Sequence, residues 1–235
     1  MTHSRFCRDE VFDNYASDYD SALAEGISIS GEDKNYFARG RIAWLASCLQ
    51  RLKERPKCFL DYGCGTGSAS PFIFDLLGVE SLIGVDMSNR SLEQANQNHG
   101  TEQTCFLPFS EYQPKQEVDI AFCNGVFHHI QPNERAAAVD YIHRSLRPGG
   151  LFSFWENNPL NPGTRYVMSR IPFDRDAITL TAREARRILR NGGFTVLRTD
   201  YLFVFPRMMR WLRGAEPGLS RLPLGAQYQI LCCKQ

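Results

Sequence analysis

The apolar positions along this chain fall into two recurring rhythms. Residues 34–53, KNYFARGRIAWLASCLQRLK, carry Phe37, Ile42, Leu45, Leu49 and Leu52 at helical spacing, and Pro56 follows, so the pattern predicts a helix that stops before a strand. Beyond it, KCFLDYG, SLIGVDMS, VDIAFCNG and GLFSFWEN are short apolar runs, each closed by polar or glycine residues. The segments between the first three pairs of runs are long enough for crossovers, and SNRSLEQANQNHG has Ser88 as its expected N-cap. Buried strands alternating with helices imply right-handed βαβ units and a parallel sheet covered on both faces.

After residue 156 the pattern changes. NNPLNPGTRYVMSRIPFDRD is rich in proline and reads as a long loop with at most short helices. TAREARRILRNGGF reads as a capped amphipathic helix ended by Gly192 and Gly193, and FTVLRTDYLFVFP and AQYQILCCK as two final strands.

At 235 residues, 43% hydrophobic and 23% charged, with a net charge of +1, the chain reads as an ordinary globular domain whose global charge selects no partner. No nucleic-acid partner is expected. Its eight cysteines lie scattered in apolar runs without regular spacing, which fits reduced thiols in a cytoplasmic protein better than a disulfide framework. Cys232 and Cys233 are adjacent in a strand, so their side chains should face opposite ways.

The chemistry starts at FLDYGCGTGSASPF, where Gly63, Gly65 and Gly67 follow the first strand. A glycine-rich strand-to-helix turn lets a ligand touch the backbone, although a structural turn also favours glycine. Asp86 ends the second strand about twenty residues on, where a carboxylate can bind both hydroxyls of a ribose. Asp61, just before the glycines, would repel a pyrophosphate but suits a cationic amino group. A nucleoside bearing an ammonium is S-adenosyl-L-methionine, and Asp61 therefore opposes the reading as a nicotinamide-dependent oxidoreductase.

LDYGCGTGSAS, LIGVDMS, VDIAFCNGVFHHI and LRPGGLFSFWEN, in this order and spacing, resemble successive motifs of the class I S-adenosylmethionine-dependent methyltransferases, and VFDNYASDYDSAL resembles the cofactor-covering helix of the small-molecule branch. The resemblance covers roughly residues 56–200. It implies one α/β domain, Rossmann-like and doubly wound, with a mostly parallel seven-stranded sheet and an antiparallel last strand. Residues 1–55 would form an N-terminal helical cap, 56–156 the cofactor-binding core, and 157–235 the acceptor side. It also implies that Gly63, Gly65 and Gly67 form the cofactor loop, Asp61 lies near the methionine amino group and Asp86 holds the ribose. Met87 would pack on adenine, Asn124 and Gly125 would lie under the methionine moiety, and Tyr19 would close over it. An acidic residue that many relatives carry after the third strand is replaced here by CFLPFSEYQ, leaving Ser110, Glu111 or backbone for the adenine. The implied reaction is methylation of a small-molecule acceptor, with S-adenosyl-L-homocysteine as product. A non-catalytic cofactor-binding partner is the alternative.

An oxygen or nitrogen nucleophile needs its proton removed, and the candidates at the ends of the fourth and fifth strands are His128, His129 and Glu156. No metal site is expected, because the histidines are adjacent and no carboxylate cluster joins them in the sequence. The insertion after the fifth strand nominates Asn157, Asn158, Arg165 and Tyr166 for acceptor recognition; a proline-stiffened surface loop is the other reading. Residues 163–221 hold twelve arginines, no lysine and five acids, an excess of seven positive charges, and arginine suits phosphate and carboxylate. Segment 201–214 interleaves Phe203, Phe205, Met208, Met209 and Trp211 with arginines, a mixture for a core strand and packed helix, for an amphipathic anionic substrate or for peripheral membrane contact.

Overall fold

A computed structural model describes residues 26–174 and 177–235. Its helices are α1 (Lys34–Leu52), α2 (Ser70–Leu77), α3 (Asn89–His99), α4 (Arg135–Ser145), α5 (Pro162–Arg170), α6 (Ala182–Asn191) and α7 (Glu216–Leu219). The strands are β1 (Cys58–Tyr62), β2 (Ser81–Asp86), β3 (Thr104–Pro108), β4 (Val118–Asn124), β5 (Leu146–Asn157), β6 (Phe194–Leu202) and β7 (Gln227–Lys234). They form one sheet in the order β3-β2-β1-β4-β5-β7-β6. β7 runs antiparallel to both of its neighbours, and the pairings among β1 to β5 are parallel. The expected α/β fold with an antiparallel last strand is the one found.

Period-two alternation divides the core. On β5, Phe152 and Phe154 face one apolar cluster with Ala138, Val139, Ile142 and Leu189 of α4 and α6. Leu151 and Trp155 face the other, with Ile42, Leu45, Ile73 and Leu92 of α1, α2 and α3. Cys232 joins the first cluster and Cys233 packs on the second, as their adjacency requires.

The helix starts follow local chemistry. Asp33 accepts a hydrogen bond from Tyr36 N at the start of α1, and Ser88 accepts one from Ser91 N at the start of α3. Thr181 and Glu184 close a reciprocal capping box on α6. The prolines after β5 are not all breakers. Pro162 occupies the first turn of the nine-residue α5, where no intrahelical N–H is needed, and Asn161 caps it through Thr164 N. The segment expected to be mostly loop thus contains two and a half turns of helix.

Candidate functional site

Because β1, β2, β4 and β5 are parallel, their carboxyl ends share one edge of the sheet, and the strand order reverses between β1 and β4. A crevice opens at such a reversal. The turn after β1 is built there from three glycines with positive φ, at +76° for Gly63, +53° for Gly65 and +71° for Gly67. Gly63 N and Cys64 N both donate to Val85 O, at 2.7 and 3.1 Å, stitching the turn to β2. A Cβ on Gly63 would lie 2.3 Å from Val126 Cγ2, whereas one on Gly65 would meet nothing within 4 Å. Gly63 is therefore required by packing, and Gly65 keeps its backbone open to an approaching ligand.

Asp86 takes two hydrogen bonds from this loop region, Gly65 N on Oδ2 at 2.8 Å and Ser88 N on Oδ1 at 3.0 Å. Asp61 is buried at the end of β1. Burial, reinforced by Asp86 and opposed by Arg41, pushes its carboxyl up to about 7. Asn124, at the end of the neighbouring β4, has a buried Oδ1 with no hydrogen-bond partner among the described residues. A buried, weakly compensated carboxylate beside an orphaned acceptor suits a cationic donor such as an ammonium. Gly125 follows with φ +67°. Met87 is half-buried after β2, and Ser110 and Glu111 are exposed. Tyr19 lies outside the described residues. A separate cleft of about 500 Å³, lined in part by Lys34, Thr66, Ser68 and His99, lies beside the loop but includes neither Asp61, Asp86 nor Asn124.

The three proton-transfer candidates come together on the other side of this edge. His128 Nδ1 lies 2.6 Å from Glu156 Oε2, and both residues are buried. Glu156 Oε1 accepts from Phe127 N at 2.7 Å and His128 N at 3.3 Å. The structure also brings in a residue that the sequence did not nominate. Asp174 Oδ1 lies 3.4 Å from His128 Nε2 and 3.4 Å from His129 Nε2. A carboxylate therefore does join the adjacent histidines, contrary to the expectation from spacing. It comes from the segment beyond β5, which Ile178 N ties to His128 O at 2.8 Å. Arg135 donates to Phe127 O and Ile130 O on one side and to Ile178 O on the other.

Burial works against charge on His128, but Glu156 and Asp174 outweigh it and hold the imidazole up at about 10. Burial and the neighbouring His128 pull His129 down to about 4. Glu156, despite its burial, is held below the usual carboxylate range by His128. At neutral pH the cluster is an imidazolium between two carboxylates with a neutral, half-buried imidazole beside it.

The acceptor-side candidates separate. Asn158 is used by the fold: its Nδ2 donates to Pro223 O and Gly225 O and its Oδ1 accepts from Leu160 N. Asn157 Oδ1 accepts from Gln227 Nε2 across the β5–β7 pair. Arg165 and Tyr166 stand exposed on α5, with Tyr166 Oη accepting from Arg170. In segment 201–214, Phe203 packs against Phe37 and Trp155. Arg207 and Arg213 anchor to Gly31 O and Glu32, while Met208 and Trp211 remain 84% and 77% exposed. No helix among the described residues is long and apolar enough to cross a membrane.

Residues 59–150 match the family model described as a methyltransferase domain. Among curated relatives, the trans-aconitate 2-methyltransferase of Agrobacterium fabrum is 26% identical over 108 residues, which are 46% of this chain and 41% of that enzyme. The malonyl-[acyl-carrier protein] O-methyltransferase 1 of Coxiella burnetii is 27% identical over 106 residues, 45% of this chain and 36% of that one. The chain thus spans about two fifths of the length of these relatives. Among solved structures, an S-adenosylmethionine-dependent methyltransferase of Thermotoga maritima superposes with a TM-score of 0.62 at 18% identity, covering 96% of this chain and 99% of that one. A chain from the Haloferax volcanii complex between the Trm112 methyltransferase activator and a methyltransferase gives 0.64 at 20% identity, covering 94% and 96%. The sheet order and the glycine turn at the strand reversal are thus those of a fold shared with S-adenosylmethionine-dependent methyltransferases, and residues 59–150 carry the matched methyltransferase domain.

Proposed function

We propose that the chain transfers the methyl group of S-adenosylmethionine to a small anionic acceptor. The observation that carries this reading is that buried Asp61 on β1 and the unpartnered Oδ1 of Asn124 at the end of the neighbouring β4 both lie at the strand reversal, where they would receive the methionine ammonium. In this reading the open backbone of Gly65 approaches the cofactor, Asp86 receives the ribose, Met87 lies against the adenine, and Gly125 underlies the methionine chain. When bound, the cofactor supplies an electrophilic methyl on sulfonium. The chain's contribution is to hold that methyl in line with the acceptor and to exclude water.

The anionic character of the acceptor draws support from the arginine excess of residues 163–221 and from the acceptors named in two relatives, trans-aconitate and malonyl-[acyl-carrier protein]. A carboxylate acceptor needs no base, which agrees with His128 being already protonated and paired. Arg165 and Tyr166, exposed on α5, are the acceptor contacts this reading retains; Asn158 is left as a structural residue.

Calorimetric titration with S-adenosylmethionine and S-adenosylhomocysteine, with NADH as control, tests the cofactor assignment. Binding of the first two and not the third is expected, and the reverse pattern would overturn it. Transfer of labelled methyl to a panel of di- and tricarboxylates then tests the acceptor class. The exposed Met208 and Trp211, flanked by arginines, favour a second role for that segment as an anionic-membrane contact.

A further inference from the structure

We infer that His128, His129 and Asp174 form a binding site for a divalent transition-metal ion of the zinc class. The site goes beyond methyl transfer and stands or falls independently of it. One ligand atom from each residue, the two Nε2 atoms and Asp174 Oδ1, lies within 4.8 Å of the others, and among the described residues this is the one group of three or more metal-capable side chains so arranged. Tetrahedral zinc, with nitrogen and oxygen ligands at about 2.0–2.1 Å, sets neighbouring ligands about 3.3 Å apart. Asp174 Oδ1 already stands 3.4 Å from each imidazole, so two of the three edges have the required length. Only the edge between the histidines need contract, and a small rotation of the half-buried His129 ring supplies that.

The surroundings are those of a metal site rather than of three polar residues that happen to meet. Glu156 Oε2 sits 2.6 Å from the other nitrogen of His128. A carboxylate there holds a proton on Nδ1, as the outer partners of metal-bound histidines do, and a metal ion taking Nε2 would displace the second proton of the imidazolium. Glu156 is itself fixed by Phe127 N. Successive histidines can both point to one centre because residues 126–130 form tight turns, with His129 N donating to Val126 O and Ile130 N to Phe127 O. Asp174 is delivered by the segment beyond β5, which Arg135 and Ile178 clamp onto the same turn. Three protein ligands leave an open coordination position. Such an open position would accept an oxygen donor such as water.

The test uses the full chain, purified without a polyhistidine tag. Mass spectrometry of the elemental content comes first, followed by titration of the chelator-treated protein with Co²⁺, whose visible bands report ligand number. One ion per chain is expected, with saturable tetrahedral-type Co²⁺ absorption. His129→Ala and Asp174→Asn should abolish that absorption while S-adenosylmethionine binding and the melting transition persist. Glu156→Gln should weaken Co²⁺ binding about 10- to 100-fold. No saturable Co²⁺ signal, or equal binding in the wild type and the two ligand variants, would overturn the site. Retention of cofactor binding in the variants separates that failure from a failure of the methyltransferase reading.

Discussion

His128 Nδ1 and Glu156 Oε2 lie 2.6 Å apart in the interior, joining the turn after β4 to the end of β5. Because Glu156 also accepts from Phe127 N and His128 N, removing it orphans buried donors as well as a buried cation. Breaking such a pair costs about 3–5 kcal/mol. Glu156→Ala should therefore lower the unfolding free energy read from urea titration by an amount of that order, and Glu156→Gln, which keeps an acceptor in place, by clearly less. Equal losses in the two variants would mean that the negative charge opposite the imidazolium, not packing or a neutral acceptor, carries the stabilisation.

If Asp61 receives the methionine ammonium as proposed, cofactor affinity should depend on pH. The folded pKa of Asp61, about 7, lies above the reference value of 3.8 because burial and Asp86 disfavour the charge, with Arg41 opposing. Such a raised carboxyl weakens folding as pH climbs from 3.8 towards 7, since the folded state must then ionise a buried group that the unfolded chain ionises freely. The methionine ammonium favours the ionised form, so binding below pH 7 should release a proton. The dissociation constant should be about tenfold weaker at pH 6 than at pH 8. Calorimetry in two buffers of different ionisation enthalpy reads the proton directly. Asp61→Asn should remove the pH dependence, weaken binding at pH 8, and raise the stability of the free protein there by an amount on the order of 2 kcal/mol.

The glycine turn offers a separation of fold from binding. Gly63→Ala drives a Cβ to 2.3 Å from Val126 at φ +76°, combining overlap with backbone strain, and should cost about 2–4 kcal/mol in unfolding free energy. Gly65→Ala has open space and a milder φ of +53°, so its stability loss should be about 1 kcal/mol. Cofactor affinity should nevertheless fall at least about tenfold, or 1.4 kcal/mol, because the new methyl occupies the approach to the backbone. Unchanged affinity in a folded Gly65→Ala protein would remove this residue from the cofactor site.

The parts of this site that could be read in advance are those fixed by near neighbours in the chain. The glycine spacing, Asp86 at a strand end, Ser88 as a cap and the Thr181–Glu184 box all act over a few residues, so local pattern carries them. Asp174 could not be read that way. It ends a single 3₁₀ turn, Pro172–Asp174, and its approach to His128 and His129 depends on a tertiary clamp, Ile178 N to His128 O and Arg135 to Ile178 O, for which no periodicity exists. Asn158 misled for a related reason: an asparagine after a strand looks available, yet its amide holds the loop at Pro223 and Gly225, 65 and 67 residues away in sequence. The proline-rich segment read as mostly loop because composition alone does not show that Pro162, placed just after Asn161, starts a helix rather than stopping one.

Trp211 provides an internal probe of the segment Arg207–Ala215. The 3₁₀ geometry is broken by a kink at Met209 (φ −111°), and Met208 and Trp211 stand exposed on a ridge studded with Arg207, Arg210 and Arg213. Two of those arginines are tied to Gly31 and Glu32, which fixes the ridge while leaving its apolar pair in solvent. Of the three tryptophans, Trp155 is fully buried and Trp44 half-buried, so Trp211, at 77% exposure, should dominate any response to an added surface. Vesicles containing anionic lipid should shift its emission to the blue at low salt and cosediment with the protein, with both effects fading as salt screens the arginines. Trp211→Ala should abolish the shift while changing stability by no more than about 0.5 kcal/mol. Neither a shift nor cosedimentation at low salt would remove the membrane role and leave the ridge to the acceptor or to another protein surface.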